Sequence, residues 1–323
     1  MVGLVFVSTT ECNLSCRHCL RGNVAPAHLS FEIIEKAVAG AKKFGIDNIH
    51  LTGGEPFLYK SLSLVFELAD KNKIPLTFST TGFLLAQHQD LLEKYKKNIR
   101  ALNISLEGAQ KDIHEKTRGE GAFDRALEAF DFCRRHKIPF GILSCLNKYN
   151  TTDLSKIVRF AKAQKARHIS FTTVLPCSRS RENALVLSQR ERQDVYLELL
   201  RLARLSALDY FRLISVPVYI HEPIFASKNI VMCNNQSLRM ITVDVDGSIH
   251  FCCFLTVYDT PLDVEKRLRV VSLEKVSFDE GVRQFSDCIH RFLQTRMEDY
   301  KTQACRDGLD FNSCFYCNKK FGI

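Results

Sequence analysis

No stretch of this 323-residue chain carries the roughly 18–20 consecutive apolar residues that a membrane-crossing helix needs, so the reading has no membrane partner. The N-terminus lacks the charged-then-apolar pattern of an export signal; Leu4-Val5-Phe6-Val7 reads instead as a short buried strand. No low-complexity linker and no internal repeat, beyond an alternation of strands and helices, interrupts the chain. No nucleic-acid-binding module is recognisable, so no nucleic-acid partner is expected. Acidic charge is in deficit: 36 Asp and Glu face 45 Lys and Arg, a formal net charge of +9. The ordinary meaning is a solvated basic surface; the functional one is an acidic partner, such as an acidic peptide, a phosphorylated substrate or a flavodoxin-type electron donor. Lys96-Lys97 with Arg100, and Arg134-Arg135-His136-Lys137, read as helix ends, where cations suit the dipole. A hydrophobic fraction of 46% supports one large or two modest domains.

Cysteine is what the chain has in plenty, with 13 residues. Without an export signal, that number argues for a reducing compartment, the cytoplasm, and for metal ligation over disulfides. Three of them are packed into Glu11-Cys12-Asn13-Leu14-Ser15-Cys16-Arg17-His18-Cys19, a C-x3-C-x2-C spacing. Three thiolates held this tightly can grip three irons of a four-iron cluster and leave the fourth open to a small molecule. The competing reading is a zinc knuckle closed by a remote Cys or His. The triplet follows the first strand. Ser30 to Phe44 then carries a helical stripe (Phe31, Ile34, Val38, Ala41), and a second strand, Ile49-His50-Leu51-Thr52, runs into Gly53-Gly54-Glu55-Pro56. Two consecutive strand ends therefore each bear a chemically loaded loop.

These two motifs, in this order, resemble the radical S-adenosylmethionine (SAM) superfamily: C-x3-C-x-aromatic-C with His18 in the aromatic slot, then Gly-Gly-Glu-Pro. The resemblance implies a 4Fe–4S cluster on Cys12, Cys16 and Cys19 whose free iron is chelated by S-adenosyl-L-methionine. It also implies an electron transfer that cleaves SAM and yields a 5′-deoxyadenosyl radical, which takes a hydrogen atom from substrate. On that basis the protein is expected to be a radical SAM oxidoreductase or isomerase, with the cofactors carrying the hard chemistry.

Strand candidates alternate with helices to about residue 206: Leu4–Ser8, Ile49–Thr52, Leu76–Thr80, Ala101–Leu106, Phe140–Leu146 and His168–Val174, with helices at Leu62–Asn72, Ala86–Lys97, Phe123–His136, Leu154–Ala163 and Ser188–Ser206. Six βα units predict an α/β fold with a parallel sheet and helices outside it, too few for a closed eight-stranded barrel. The resemblance implies an open (β/α)6 partial barrel over residues 1–206. Chemistry belongs at the C-terminal ends of such strands. Beyond residue 206 the pattern changes to a hairpin, Leu238–Val243 and Ser248–Phe254 joined through Asp244-Val245-Asp246-Gly247, then a helix from Phe278 to about Tyr300 and a cysteine-rich tail.

Residues 207–323 are expected to form a small α+β domain of their own. Cys233, Cys252, Cys314 and Cys317 place two cysteines around the hairpin and a C-x2-C pair near the end, which suits a closed four-thiolate site, with zinc as the plain structural metal. Cys-x(9–15)-Gly-x4-Cys resembles the opening of the SPASM and twitch extensions of radical SAM enzymes. No cysteine follows Cys317, so the shorter twitch pattern fits, implying one auxiliary 4Fe–4S cluster on Cys233, Cys252, Cys314 and Cys317, with Cys253 or Cys305 as alternative ligands.

Further roles follow from the resemblance alone. Gly53, Gly54 and Glu55 face the amino group of SAM, the glycines letting backbone come close. His18 lies near the adenine or packs behind it. Asn103-Ile104-Ser105-Leu106-Glu107-Gly108 resembles the I-S-[L/I]-D-G of the family, with Glu107 replacing Asp and Ser105 the SAM contact. Arg118 of Thr117-Arg118-Gly119 pairs with the methionyl carboxylate or is a surface arginine. Leu175-Pro176 meets the adenine. Thr81 stands where relatives often carry Asn. Cys133 and Cys145 read as core thiols. Cys177, just past the sixth strand, is either a hydrogen-atom donor of the epimerase kind or a packed thiol.

The leading functional expectation is maturation of a ribosomal peptide by epimerisation or cross-linking. The alternative is a dehydrogenase or epimerase of an aminosugar-like small molecule. A non-catalytic iron–sulfur or zinc scaffold has no use for an open iron or the Gly-Gly-Glu-Pro loop. Because the first strand starts at once, no fused peptide-recognition domain is expected, and a separate recognition protein is an implied partner beside a flavodoxin- or ferredoxin-type donor. The stretch from Ser178 to Met232, with Arg179, Arg181 and the Ser188–Ser206 helix, is the expected seat of substrate specificity.

Overall fold

The computed structural model describes residues 1–22, 24–209, 216–220, 232–252, 269–302 and 314–321. Its strands are β1 (Val2–Thr9), β2 (Ile46–Gly53), β3 (Leu76–Thr80), β4 (Ile99–Ser105), β5 (Phe140–Leu146), β6 (Ile169–Thr173), β7 (Val218–Ile220), β8 (Met240–Val243), β9 (Ser248–His250) and β10 (Arg269–Ser272). Among the described residues no helix is long and apolar enough to cross a membrane.

The chain forms two compact units. The first comprises Met1–Cys12, Leu20–Leu76 and Pro223–Ile323; the second comprises Asn13–Cys19 and Thr77–Glu222. In the first unit the sheet order is β10-β9-β8-β1-β2. β1 pairs in parallel with β2 on one side and β8 on the other, and β8-β9-β10 is antiparallel. β1 is buried almost throughout, as its unbroken apolar run demands of a strand covered on both faces. The hairpin expected from Asp244-Val245-Asp246-Gly247 forms. Gly247 sits at φ 77° and donates its N–H to Asp244 O at 2.9 Å, a conformation that a side chain would oppose. Its two strands extend the sheet beyond β1. The helix Phe278–Lys301 follows, started by Ser277 Oγ accepting from Glu280 N–H.

In the second unit β3-β4-β5-β6-β7 are in sequence order, and β4-β5-β6-β7 pair in parallel. Helices Ala122–Arg135 and Leu154–Ala163 each bury one stripe. In the former it runs Ala122, Phe123, Ala126, Ala129, Phe130 and Cys133, with Phe130 stacked on Phe140 of β5 at 5.4 Å. Cys133 is an inert core thiol whose pKa burial pushes up to about 12.

Several expected elements need correction. Ala86–Lys97 is not one helix: only Gln89–Lys94 is α-helical, between 3-10 turns at Leu85–His88 and Lys96–Asn98, because His88 and Tyr95 leave helical geometry. The helix Lys111–Arg118 was not expected, since six of its eight residues are charged or His and no apolar stripe announces it. β7 and β10, of three and four residues, were likewise missed. Cys253 and Cys305 lie outside the described residues.

Candidate functional site

In the first unit β1 ends in a loop stitched to its neighbours by threonines. Thr9 Oγ1 donates to Ala27 O at 2.8 Å and accepts from Glu11 N–H at 3.0 Å, while Thr10 Oγ1 donates to Ala25 O at 2.8 Å. The Gly53-Gly54-Glu55 turn lies directly on this loop: Gly54 N–H donates to Thr9 O and Glu55 N–H to Glu11 O, both at 2.7 Å. The reason for two glycines is steric. A Cβ on Gly53, which sits at φ 142°, would meet Thr9 O at 2.2 Å, and one on Gly54 would meet Glu11 O at 2.0 Å. Gly54→Ala must therefore push the two loops apart, costing about 1–3 kcal/mol, which urea denaturation of the apoprotein would read. Glu55 is fully buried and its Oε1 accepts from Phe57 N–H at 3.2 Å, capping the short turn Pro56–Leu58. Cys12 is exposed.

In the second unit the segment Asn13–Cys19 is held at the C-terminal ends of the parallel strands. Arg17 N–H donates to Thr117 O at 2.9 Å, Thr81 Oγ1 to Asn13 Oδ1 at 3.3 Å, and Cys19 N–H to Cys16 O at 3.2 Å. Arg179 clamps the segment, donating from Nη1 to Cys16 O and from Nη2 to Ser15 Oγ, both at 3.0 Å. Arg179, which belongs to the expected specificity region, also positions the cysteine loop. Asn183 Nδ2 adds a contact to Arg17 O at 3.5 Å.

Beneath the segment lies a buried ion pair. Arg118 donates to Glu107 Oε1 from Nε at 2.8 Å and from Nη2 at 2.7 Å, and Nη1 points at Cys16 Sγ, 3.8 Å away. Glu107 is wholly buried; its Oε2 accepts from Cys145 N–H at 2.6 Å. Burial pushes the Glu107 carboxyl above its ordinary range while Arg118 pulls it back, and Glu107 holds Arg118 charged. Burial also raises the Cys16 thiol, against the pull of Arg118. His18 Nε2 stands 3.7 Å from Glu107 Oε1. Burial and the nearby Arg118 drive its pKa well below the ordinary value, so the ring is neutral, and its Nδ1 has no partner among the described residues. Ser105 is buried at the end of β4. Leu175 O accepts from Ser180 Oγ at 2.7 Å. Cys177 is buried at the start of the helix Ser178–Glu182, its Sγ 3.7 Å from Cys19 O and 3.4 Å from Ser180 Oγ.

His114 completes the support: its Nδ1 accepts from Glu107 N–H at 2.9 Å. Burial, with Arg118 adding to it, lowers its pKa from 6.5 to about 3. The unfolded chain therefore binds this proton first, and stability present above pH 6.5 is lost as pH falls towards 3. Urea titrations of the apoprotein should show that fall, shallower in His114→Asn, which has no proton to take up.

The C-terminal cysteines gather in part. In the first unit Cys317 and Cys233 lie close enough that charge on one disfavours charge on the other, and Gln236 Nε2 donates to Cys317 Sγ at 3.5 Å. Cys252 O lies 3.2 Å from His250 Nδ1. Among the described residues no three His, Cys, Asp or Glu side chains converge as a single metal ion requires. A four-iron cluster makes no such demand, since each thiolate binds its own iron. The donor chemistry fits one: soft thiol sulfurs, with a guanidinium near Cys16 in the second unit and an amide donor at Cys317 in the first.

The radical SAM superfamily profile matches residues 6–205. A probable GTP 3',8-cyclase of Saccharolobus solfataricus is 27% identical over 295 residues, 85% of this chain and 88% of that protein. Among solved structures, anSMEcpe with bound AdoMet superposes with a TM-score of 0.69 at 17% identity, covering 99% of this chain and 92% of its own. Streptococcus suis SuiB bound to precursor peptide SuiA gives 0.63 at 17%, covering 80% of this chain and 61% of SuiB. The chain thus spans about three fifths of SuiB. The likeness to these structures shows the fold, an α/β partial barrel with parallel strands.

Proposed function

Because the chain belongs to the radical SAM superfamily, we propose that it matures a ribosomally made peptide, by epimerisation or cross-linking at an unactivated C–H bond. It is a radical SAM enzyme, working with a 4Fe–4S cluster and SAM. When bound, these supply one electron and the 5′-deoxyadenosyl radical that takes a hydrogen atom from substrate. The observation that carries the assignment of the centre is the clamped cysteine segment: Cys16 held by Arg179 at its carbonyl and faced by Arg118 at its sulfur. Cys12, Cys16 and Cys19 would hold the cluster. The Gly53-Gly54-Glu55 turn, Ser105 and Leu175 would receive SAM, with neutral His18 beside the adenine. Arg118 keeps its place in that set, but with two nitrogens already on Glu107 it has chiefly Nη1 left to offer. Residues 207–323 would carry the auxiliary 4Fe–4S cluster on Cys233, Cys252, Cys314 and Cys317.

Peptide chemistry is supported by the fold shared with SuiB, solved with a precursor peptide. A relative that aligns with 85% of this chain favours a small-molecule substrate, since it is a probable GTP 3',8-cyclase. The net charge of +9 suits an acidic flavodoxin- or ferredoxin-type donor.

The deciding assay incubates reconstituted protein with SAM, reductant and either short peptides encoded beside its gene or GTP, in deuterium oxide. Peptide maturation predicts 5′-deoxyadenosine release that peptide stimulates, with a peptide that gains one deuterium (epimerisation) or loses two hydrogens (cross-link). Stimulation by GTP alone would replace the peptide reading with the small-molecule one. If deuterium is gained, Cys177 is the proposed donor, and Cys177→Ala should still release 5′-deoxyadenosine while its peptide stays unlabelled.

A further inference from the structure

The helix Phe278–Lys301 buries Phe278, Gly281, Phe285 and Ile289 along one stripe, and the next fully buried residue on that face, two turns beyond Ile289, is Arg296, only 2% exposed. A fully buried guanidinium is costly unless negative charge and hydrogen bonds surround it. Its surroundings are specific. Arg296 Nη1 donates to Gln236 Oε1 at 2.6 Å, and the guanidinium lies over the Tyr316 ring at 5.3 Å. That ring is fixed by its hydroxyl, which donates to Asp299 Oδ2 at 2.7 Å, and by Phe292 edge-on at 6.0 Å. Gln236 passes the contact on, its Nε2 donating to Cys317 Sγ at 3.5 Å.

The order of these bonds matters. An amide has one acceptor end and one donor end. With its oxygen taken by Arg296, Gln236 must turn its NH2 towards sulfur. Arg296 therefore sets the orientation of a sulfur hydrogen bond as well as placing a positive charge near Cys317 and Cys233, which are its electrostatic neighbours.

We propose that Arg296 and Gln236 are positioning residues of the auxiliary centre, Arg296 its buried counter-charge and Gln236 its aimed sulfur hydrogen-bond donor, together raising its reduction potential and so favouring its role as an electron acceptor. This rests on the reading that Cys233 and Cys317 ligate an auxiliary cluster. Thiolate ligation places negative charge beside the guanidinium, and hydrogen bonds to ligand sulfurs raise a cluster's potential. In a turnover that removes two electrons from substrate, the abstracted hydrogen atom carries one and an acceptor must take the other. A cluster of raised potential is fitted to do so.

The test is a spectroscopically monitored redox titration of the reconstituted full-length protein, comparing wild type with Arg296→Gln, Arg296→Lys and Gln236→Leu, with iron and sulfide counted in each. The cluster on Cys12, Cys16 and Cys19 serves as the internal reference. Arg296→Gln and Gln236→Leu should each move the auxiliary midpoint to lower potential and leave the reference unmoved; Arg296→Lys, keeping charge but not the fork, should fall between. If Arg296→Gln does not accumulate as folded protein, Gln236→Leu carries the same expectation, since it removes the sulfur bond and the acceptor of Arg296 Nη1 while keeping the buried charge. Two clusters with unchanged midpoints in Gln236→Leu and the soluble arginine variants would overturn the proposal. A wild-type protein with only the reference cluster would overturn it by removing the auxiliary reading beneath it.

Discussion

Glu107→Leu should destabilise the apoprotein by about 3–5 kcal/mol, because it leaves the Arg118 guanidinium buried with no counter-charge. Glu107 is 0% exposed and takes two of the guanidinium nitrogens at 2.7 and 2.8 Å. Its loss also strips Cys145 N–H of an acceptor. Glu107→Gln should cost less than leucine, since an amide oxygen in the place of Oε1 still accepts from both guanidinium nitrogens, and only the charge and the Oε2 acceptor of Cys145 N–H are lost. The double variant Glu107→Leu/Arg118→Met should recover much of the loss, because replacing both members of a buried pair with apolar groups is often close to neutral. Urea denaturation of wild type, Glu107→Leu, Arg118→Met and the double variant measures the coupling. A single-variant cost under about 1 kcal/mol, the size typical of an exposed ion pair, would mean that water reaches this pair.

The other large effect is chemical. Cys16→Ala should reduce SAM cleavage to the background of the reductant alone, with loss of the iron assigned to the N-terminal cysteines. Removing a supporting residue should hurt less: Arg179→Ala, which releases Cys16 O and Ser15 Oγ, should weaken iron retention against a chelator by about 10–100-fold, the range seen when an outer partner of a metal ligand is lost. Iron release kinetics and 5′-deoxyadenosine assays separate the two. Cys16→Ala protein that cleaved SAM at the wild-type rate would remove Cys16 from the centre.

Much of the fold is legible because local signals agree with tertiary ones. Leu76–Thr80, Phe140–Leu146, Leu62–Asn72 and Leu154–Ala163 have the bounds that periodicity predicts, since each begins or ends where polar residues, Gly or Pro stop the apolar pattern. The Lys111–Arg118 helix escaped because its stability comes from what His114 and Arg118 touch in the fold, not from a stripe. The same blindness hid the supports of the site. Glu107 and Arg118 stand out in sequence only through the resemblance, one as a motif position and the other as a carboxylate partner or surface arginine, and nothing in their spacing says that the two are buried together. Arg296 did leave a signal: it continues the stripe of Phe285 and Ile289 on its helix, and a charge there announces a buried partner. The loaded loops themselves were visible because their residue types, three cysteines and two glycines, are chemically unusual at any position.

The central claim is that this chain holds a SAM-cleaving cluster on its first three cysteines, with a second cluster in its C-terminal third. Iron and sulfide content with Mössbauer spectra, on anaerobically reconstituted wild type and on the Cys12/Cys16/Cys19 triple alanine variant, tests it most directly. Two four-iron clusters in the wild type falling to one in the variant is the predicted result. A variant that keeps all the iron of the wild type would contradict it.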